Sequence, residues 1–269
     1  MGPVPVGEGP GNPSRPRWPG AVNTRSSSCH SVLPGWWGRL FTVLGSSWQM
    51  DQSTERRRLL AVPGPDKRAA LFLDRDGVVI EDCHHLCDPA QVQLCVGAAA
   101  LLAAAKQFGW PVVVITNQSG IARGLFDWND YERVNDRMLE KLGPEAPLAA
   151  IYGNGHGPDA PPESWRKPSP TMLIEAAKAL NLDLAHSILI GDRLSDLQAG
   201  AAAGVALVGH VLTGHGQRER PAVQRWGHEL QHASPGLPTS SRRAPKTILL
   251  GNLDDFPQRL LLPSTPLPA

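Results

Sequence analysis

Three short apolar runs set what this chain can fold into, because each ends in polar groups and is followed by residues spaced for a helix. Leu71–Leu73 runs into Asp74-Arg75-Asp76-Gly77, Val112–Ile115 into Thr116-Asn117-Gln118-Ser119, and Ile188–Ile190 into Gly191-Asp192. Apolar runs of this length read as buried strands. Helices are predicted at residues 97–107, 129–142, 170–180 and 194–203. In the second of these, Tyr131, Val134, Met138 and Leu142 fall on one face. Strand alternating with helix predicts an α/β fold built on a doubly wound, Rossmann-like parallel sheet. In such a sheet every strand ends at the same edge, so the groups closing each run converge in one crevice.

Those groups suit one kind of chemistry. Asp74 and Asp76 leave the first strand together, and two crowded carboxylates repel unless a cation neutralises them. A hard divalent ion such as Mg2+ takes oxygen ligands and meets that need. One carboxylate can then attack an electrophile while the other handles a proton. Thr116, with the turn that follows it, offers a hydroxyl and fresh N–H groups as a small anion cradle. Arg166 and Lys167 precede Ser169-Pro170, a good helix entry, where an anion is welcome. Asp196 follows Asp192 by four residues, which puts both on one helix face, and Asp192 is a natural further oxygen ligand for an ion placed by Asp74. Each segment alone also reads as an ordinary turn, cap or solvated basic pair. Together they supply what phosphoryl transfer to an aspartate needs.

The segments Asp74–Gly77 (DRDG), Thr116–Gly124 (TNQSGIARG), Arg166–Pro170 (RKPSP) and Gly191–Gly200 (GDRLSDLQAG) resemble, in order, the four motifs of the haloacid dehalogenase-like (HAD) superfamily, in its capless phosphatase branch. More narrowly they are similar to the bacterial D-glycero-D-manno-heptose 1,7-bisphosphate phosphatases, with histidinol-phosphate phosphatases a close second. The likeness covers about residues 69–213. It implies Asp74 as nucleophile and Asp76 as general acid and then base. It implies Mg2+ held by the carboxylates of Asp74 and Asp192 and the main-chain carbonyl of Asp76. Thr116, Asn117 and Lys167 would bind the phosphoryl group, and Arg166 the rest of the substrate. Asp196 and Arg193 would steady the metal site from behind. Asp82 and His85, in the loop after the first motif, would line the substrate side.

The gaps from Asp76 to Thr116 and from Thr116 to Lys167 are too short for a separate cap domain, so an open site is expected. Relatives commonly carry a zinc loop, C-x-H and then C-x-C, before the Arg-Lys pair. Here Gly153, Gly155, Glu163 and Trp165 stand at those positions, so no structural zinc is predicted, and prolines and Trp165 are expected to hold the loop instead. Cys83-His84-His85-Leu86-Cys87 has suitable ligand types. Adjacent residues point apart, however, and no second Cys/His cluster follows.

The ends of the chain look different from its centre. Residues 1–66 are expected to be a disordered or wrongly included N-terminal extension, Pro/Gly-rich as far as Gln49, with Met50 or a nearby codon as the true start. Residues 67–216 form the expected core, 217–245 an irregular loop, 246–262 a last strand and short helix returning to the core, and 263–269 a tail. No apolar run is long enough to span a membrane, and no signal peptide is evident. A net charge of +1 gives no general pull toward nucleic acid or membranes. Four irregularly placed cysteines suggest reduced thiols and a cytoplasmic home. The expectation is a monomeric enzyme acting on a small sugar phosphate. Histidinol phosphate or a polynucleotide 3′-phosphate is the alternative substrate, and a phospho-accepting signalling domain the alternative from another class.

Overall fold

Seven strands order themselves around the run that ends in Asp74: β1 (Glu55–Leu59), β2 (Leu71–Leu73), β3 (Val112–Asn117), β4 (Ala150–Asn154), β5 (Ile188–Gly191), β6 (Leu207–His210) and β7 (Lys246–Leu249). They belong to a computed structural model that describes residues 54–232 and 244–262, together with Gly2. The Pro/Gly-rich segment before residue 50, the proposed start at Met50 and the tail 263–269 lie outside the described residues. The strands form one sheet in the order β1-β4-β3-β2-β5-β6-β7. All neighbours are parallel except β1 and β4, which run antiparallel. The mixed α/β class is therefore as expected.

Alternation of side chains along the strands builds two cores. Leu71, Leu73, Val112, Val114 and Ile190 face one side of the sheet, where α1 (Ala98–Gln107) and α3 (Trp128–Leu142) pack. Phe72, Val113, Ile115 and Leu189 face the other side, against α4 (Thr171–Leu180), α5 (Leu194–Ala203) and Val223 of α6 (Gly216–His232). A short helix, α2 (Ser119–Ala122), follows β3 directly. The start of α3 is fixed by a capping box. Asp127 accepts from the N–H groups of Asn129 and Asp130, and Asp130 accepts from that of Asp127. From β2 the chain moves outward through β3 and β4, then crosses back to β5 on the other side. The point of reversal lies beside β2, where a ligand crevice forms in open α/β sheets.

Three expectations about the ends need correction. The presumed extension to residue 66 contains β1, paired with β4 from Glu55↔Asn154 to Leu59↔Ala150. Its sequence, Glu-Arg-Arg-Arg-Leu, carries no apolar alternation because an edge strand needs little burial. The presumed loop from 217 opens instead with α6, which reaches His232 despite Pro221 inside it. Its buried side repeats as Gly216, Val223 and Gly227, with half-buried Trp226 and Leu230 alongside, a helical spacing that the polar residues between conceal. The expected final helix is two 3-10 turns, Leu253–Asp255 and Gln258–Leu261, interrupted at Pro257. Leu253, Phe256 and Leu261 are buried in the core. No inserted cap domain occurs among the described residues.

Candidate active site

The carboxyl ends of β2, β3 and β5 and the loop before α4 open onto a pocket of about 600 Å³ whose lining includes Asp74, Asp76, Thr116, Lys167, Asp196 and His215. A larger cavity of about 1080 Å³ lies at the opposite edge, where the strands begin, beside Lys67, Trp110, His186 and Lys246. It contains none of the motif residues, so the chemistry belongs to the smaller one.

Lys167 is the hub. Its ammonium stands 2.8 Å from Asp74 Oδ1 and 2.8 Å from Asp196 Oδ1, and donates to the Ile115 carbonyl at 2.9 Å. All of these groups are buried. Burial works against its charge, but Asp196 and Asp74 more than offset that and hold the lysine firmly protonated. Asp74 is pushed up to about 7, chiefly by burial, with Lys167 pulling the other way. Asp192 is pushed up to about 8 by burial and then by the charges of Asp196 and Asp74.

Carboxylate oxygens of Asp74, Asp192 and Asp196 all lie within 4.8 Å of one another. Asp192 Oδ2 accepts the main-chain N–H of His215 at 2.7 Å, whereas Oδ1 is buried with no hydrogen-bond partner among the described residues. One lysine cannot balance three carboxylates, and an orphaned buried oxygen calls for a cation. The donor set is all oxygen, so the site fits a hard divalent ion such as Mg2+.

Asp76 is held differently. Arg75, itself buried, lays its guanidinium across the Asp76 carboxylate at 3.1–3.3 Å. Arg75 also donates to Asn135 Oδ1 at 3.0 Å and lies over the Tyr131 ring. Gln118 Nε2 donates to Asp76 Oδ2 and to Thr116 Oγ1, each at 2.7 Å. Arg75, Gln118 and Asn135 were not among the expected site residues, although the first two stand inside the motifs.

The remaining expected residues line the same pocket, each with its own contacts. Asn117 does not reach for an anion: its Oδ1 accepts the Lys167 main-chain N–H at 3.1 Å and its Nδ2 donates to the Lys167 carbonyl at 3.2 Å. The backbone N–H of Arg193 donates to Asp196 Oδ2 at 3.0 Å, and the Arg193 charge opposes the upward shift of Asp192. Its side chain belongs to the rim of the pocket, with Arg123 and Arg166. Burial, then the charges of Arg193 and Arg123, lower the pKa of Arg166. None of the three has a carboxylate partner among the described residues; Arg166 donates to the His156 carbonyl at 3.0 Å. Asp82 is bound to His215 (Oδ2 to Nε2, 2.8 Å) and accepts the His84 N–H. His85 lines the same pocket and its ring stands 6.4 Å from that of Phe126.

The loop from Gly155 to Lys167 is anchored by more than Trp165 and prolines. Trp165 packs on Tyr152, with ring centroids 5.3 Å apart. Residues just before and within β1 also take part: Gly155 N–H donates to the Thr54 carbonyl at 2.6 Å, Thr54 Oγ1 meets His156 Nε2 at 2.7 Å, and Trp165 N–H donates to Glu55 Oε1 at 2.8 Å.

A further contact reaches Asp192 from outside the motifs. Buried His210 meets the Asp192 carbonyl through Nε2 at 2.9 Å, and its Nδ1 accepts from Arg220 Nε at 2.9 Å. Arginine can only donate, so the imidazole is the Nε2–H tautomer and donates to Asp192.

Paired carboxylates at a strand end, a lysine at the neighbouring loop and a third carboxylate after β5 define a phosphatase of the HAD-like hydrolases, and the HAD-hydrolase-like family profile matches residues 164–236. Sequence comparison finds D-glycero-β-D-manno-heptose-1,7-bisphosphate 7-phosphatase of Mesorhizobium japonicum 48% identical over 149 residues, 53% of this chain and 69% of the relative. The corresponding α-anomer enzyme of Burkholderia mallei is 38% identical over 146 residues, 52% of this chain and 77% of the relative. Among solved structures, D,D-heptose 1,7-bisphosphate phosphatase from B. bronchiseptica, complexed with magnesium and phosphate, superposes with a TM-score of 0.56 at 32% identity, covering 70% of this chain and 94% of that one. The chain belongs to the family of heptose-bisphosphate phosphatases.

Proposed function

We propose that this chain removes the 7-phosphate from D-glycero-D-manno-heptose 1,7-bisphosphate by way of an aspartyl-phosphate. The observation that carries the reading is Lys167 fixed on Asp74 Oδ1 at 2.8 Å while Asp76, two residues away, is held by Arg75 and Gln118. That arrangement separates the roles of the two acids. Asp74 attacks phosphorus as the ester P–O bond breaks, and Asp76 gives its proton to the departing sugar oxygen. Asp76 then takes a proton from the water that hydrolyses the aspartyl-phosphate. Lys167 and the Thr116 hydroxyl hold the phosphoryl oxygens throughout. Asp74, Asp192 and the main-chain carbonyl of Asp76 would hold Mg2+, which when bound neutralises the crowded acids and polarises the phosphoryl group.

Arg123, Arg166 and Arg193 favour a substrate with a second phosphate, since three guanidiniums at the rim with no carboxylate partner among the described residues suit an anion that is not being cleaved. Histidinol phosphate lacks that group. Every residue in this reading comes from one copy of the chain. A cytoplasmic setting agrees with the free thiols of Cys83 and Cys95, and no described helix is long and apolar enough to cross a membrane.

Phosphate release from both heptose bisphosphate anomers, histidinol phosphate and a polynucleotide 3′-phosphate, with and without Mg2+, tests the reading. Heptose bisphosphate should be preferred, with Asp74→Asn inactive yet folded and Asp76→Asn slowed. Preference for histidinol phosphate would overturn the substrate, and full activity of Asp74→Asn the mechanism. A phosphorylated Asp74 that lasts for minutes without turnover would point to signalling instead.

A further inference from the structure

Asp82, His84 and His215 meet at the mouth of the pocket although 131 positions separate the two histidines in sequence (215 minus 84). Asp82 and His84 lie in the loop after β2, and His215 in the turn that leads into α6. Asp82 Oδ2 stands 2.8 Å from His215 Nε2, and Asp82 Oδ1 stands 3.7 Å from His84 Nδ1. One ligand atom from each of the three residues lies within 4.8 Å of the others, and the two imidazoles are stacked 5.8 Å apart.

The cluster is compact enough to close on one ion. Tetrahedral ligands bound to zinc at about 2.0–2.1 Å stand about 3.3 Å from one another; a single oxygen of Asp82 and one nitrogen of each histidine already lie within 4.8 Å of one another, and small side-chain rotations close the gap. Two imidazoles and a carboxylate suit a borderline divalent ion, unlike the all-oxygen set around Asp192. The positions are also prearranged. His84 has a φ of +50°, uncommon for a residue with a Cβ, and its N–H is bonded to Asp82 Oδ1 at 2.9 Å. The main-chain N–H of His215 is fixed on Asp192.

We propose that Asp82, His84 and His215 form a second cation site, for a borderline divalent ion of the zinc type, with its remaining position open to the pocket. The site is distinct from the vacated zinc-loop positions at Gly153, Gly155, Glu163 and Trp165. Without the ion, His215 Nδ1 takes a hydrogen from Arg218, and Nε2 carries the ring proton toward Asp82. On binding, Nε2 passes to the ion, the proton moves to Nδ1, and exposed Arg218 swings away. The bound ion would clip the loop after β2 to the loop after β6.

The test titrates Co2+, then Zn2+, into full-length protein stripped of metal and resupplied with saturating Mg2+ to fill the carboxylate site. Wild type should take up one equivalent of Co2+ with the visible absorption of a nitrogen-containing site, and Zn2+ should displace it. His84→Ala, at an exposed position, should bind roughly tenfold or more weakly, and His215→Gln likewise. No uptake by the wild type, or equal affinity in His84→Ala, overturns the site.

Discussion

Asn117 grips the main chain of Lys167 from both sides, accepting its N–H at 3.1 Å and donating to its carbonyl at 3.2 Å. The end of β3 thereby sets where the ammonium meets Asp74. Asn117→Ala removes both bonds and leaves a half-buried peptide unpaired, at a cost of about 1–3 kcal/mol. It should lower kcat roughly 10- to 100-fold with little change in KM for a minimal substrate such as p-nitrophenyl phosphate. A raised KM with unchanged kcat would return Asn117 to substrate binding.

Gly77 and Gly214 press on Asp192 from two loops. Both have positive φ, +81° and +56°. A methyl at Gly77 would come within 2.7 Å of Asp192 Oδ2, and one at Gly214 would meet the same oxygen and the Gly77 backbone. Gly214→Ala should therefore displace the carboxylate, weaken Mg2+ at least about tenfold and cost about 1–3 kcal/mol of stability. Calorimetric Mg2+ titration with thermal melts checks both. Unchanged Mg2+ affinity would mean that Asp192 is not a ligand.

Asp192 carries a pH signature. Its pKa is raised from the usual 3.8 to about 8 in the folded chain. A raised carboxyl favours the folded state while protonated and loses that advantage as pH climbs from about 4 to about 8. Asp192→Asn keeps an acceptor for His215 and removes the charge. In chelator, its melting midpoint should exceed the wild type's by roughly 2–5 °C at pH 8 and match it near pH 4. Mg2+ at pH 8 should stabilise only the wild type. A wild type at least as stable at pH 8 without metal would refute the crowding of charge.

Glu55 takes the Trp165 N–H from a distance of 110 residues. Glu55→Ala should loosen the loop that carries Arg166 at a stability cost of about 0.5–1.5 kcal/mol. It should raise KM for the bisphosphate several-fold and leave p-nitrophenyl phosphate nearly unaffected. Equal effects on both substrates would argue against an anchoring role.

The legible parts of the sequence were those where burial and chemistry meet abruptly. Asp74, Thr116 and Asp192 each follow an apolar run, and the parallel sheet had to bring them to one edge. Where burial is partial the signal faded. β1 is charged because it lies at an edge, and α6 is polar on its outer faces and carries Pro221 within it. Partner choice was harder still. Nothing near Asn117 says that its amide will meet a backbone rather than a phosphate, and His215 is a single histidine whose partners lie in another loop. Arg75 and Gln118 sat within recognised motifs but owe their roles to Asp76, a relationship that only folding reveals. His210 and Arg220 reach Asp192 through its carbonyl, which leaves no trace in side-chain patterns.

The antiparallel pairing of β1 with β4 carries a practical consequence for anyone trimming this protein. A boundary drawn at the first conventional strand would discard Thr54 and Glu55, and with them part of the footing of the loop from Gly155 to Lys167. Such a shortened chain would keep every motif residue and still leave Arg166 on a looser segment, with only the Asn117 side of the platform intact.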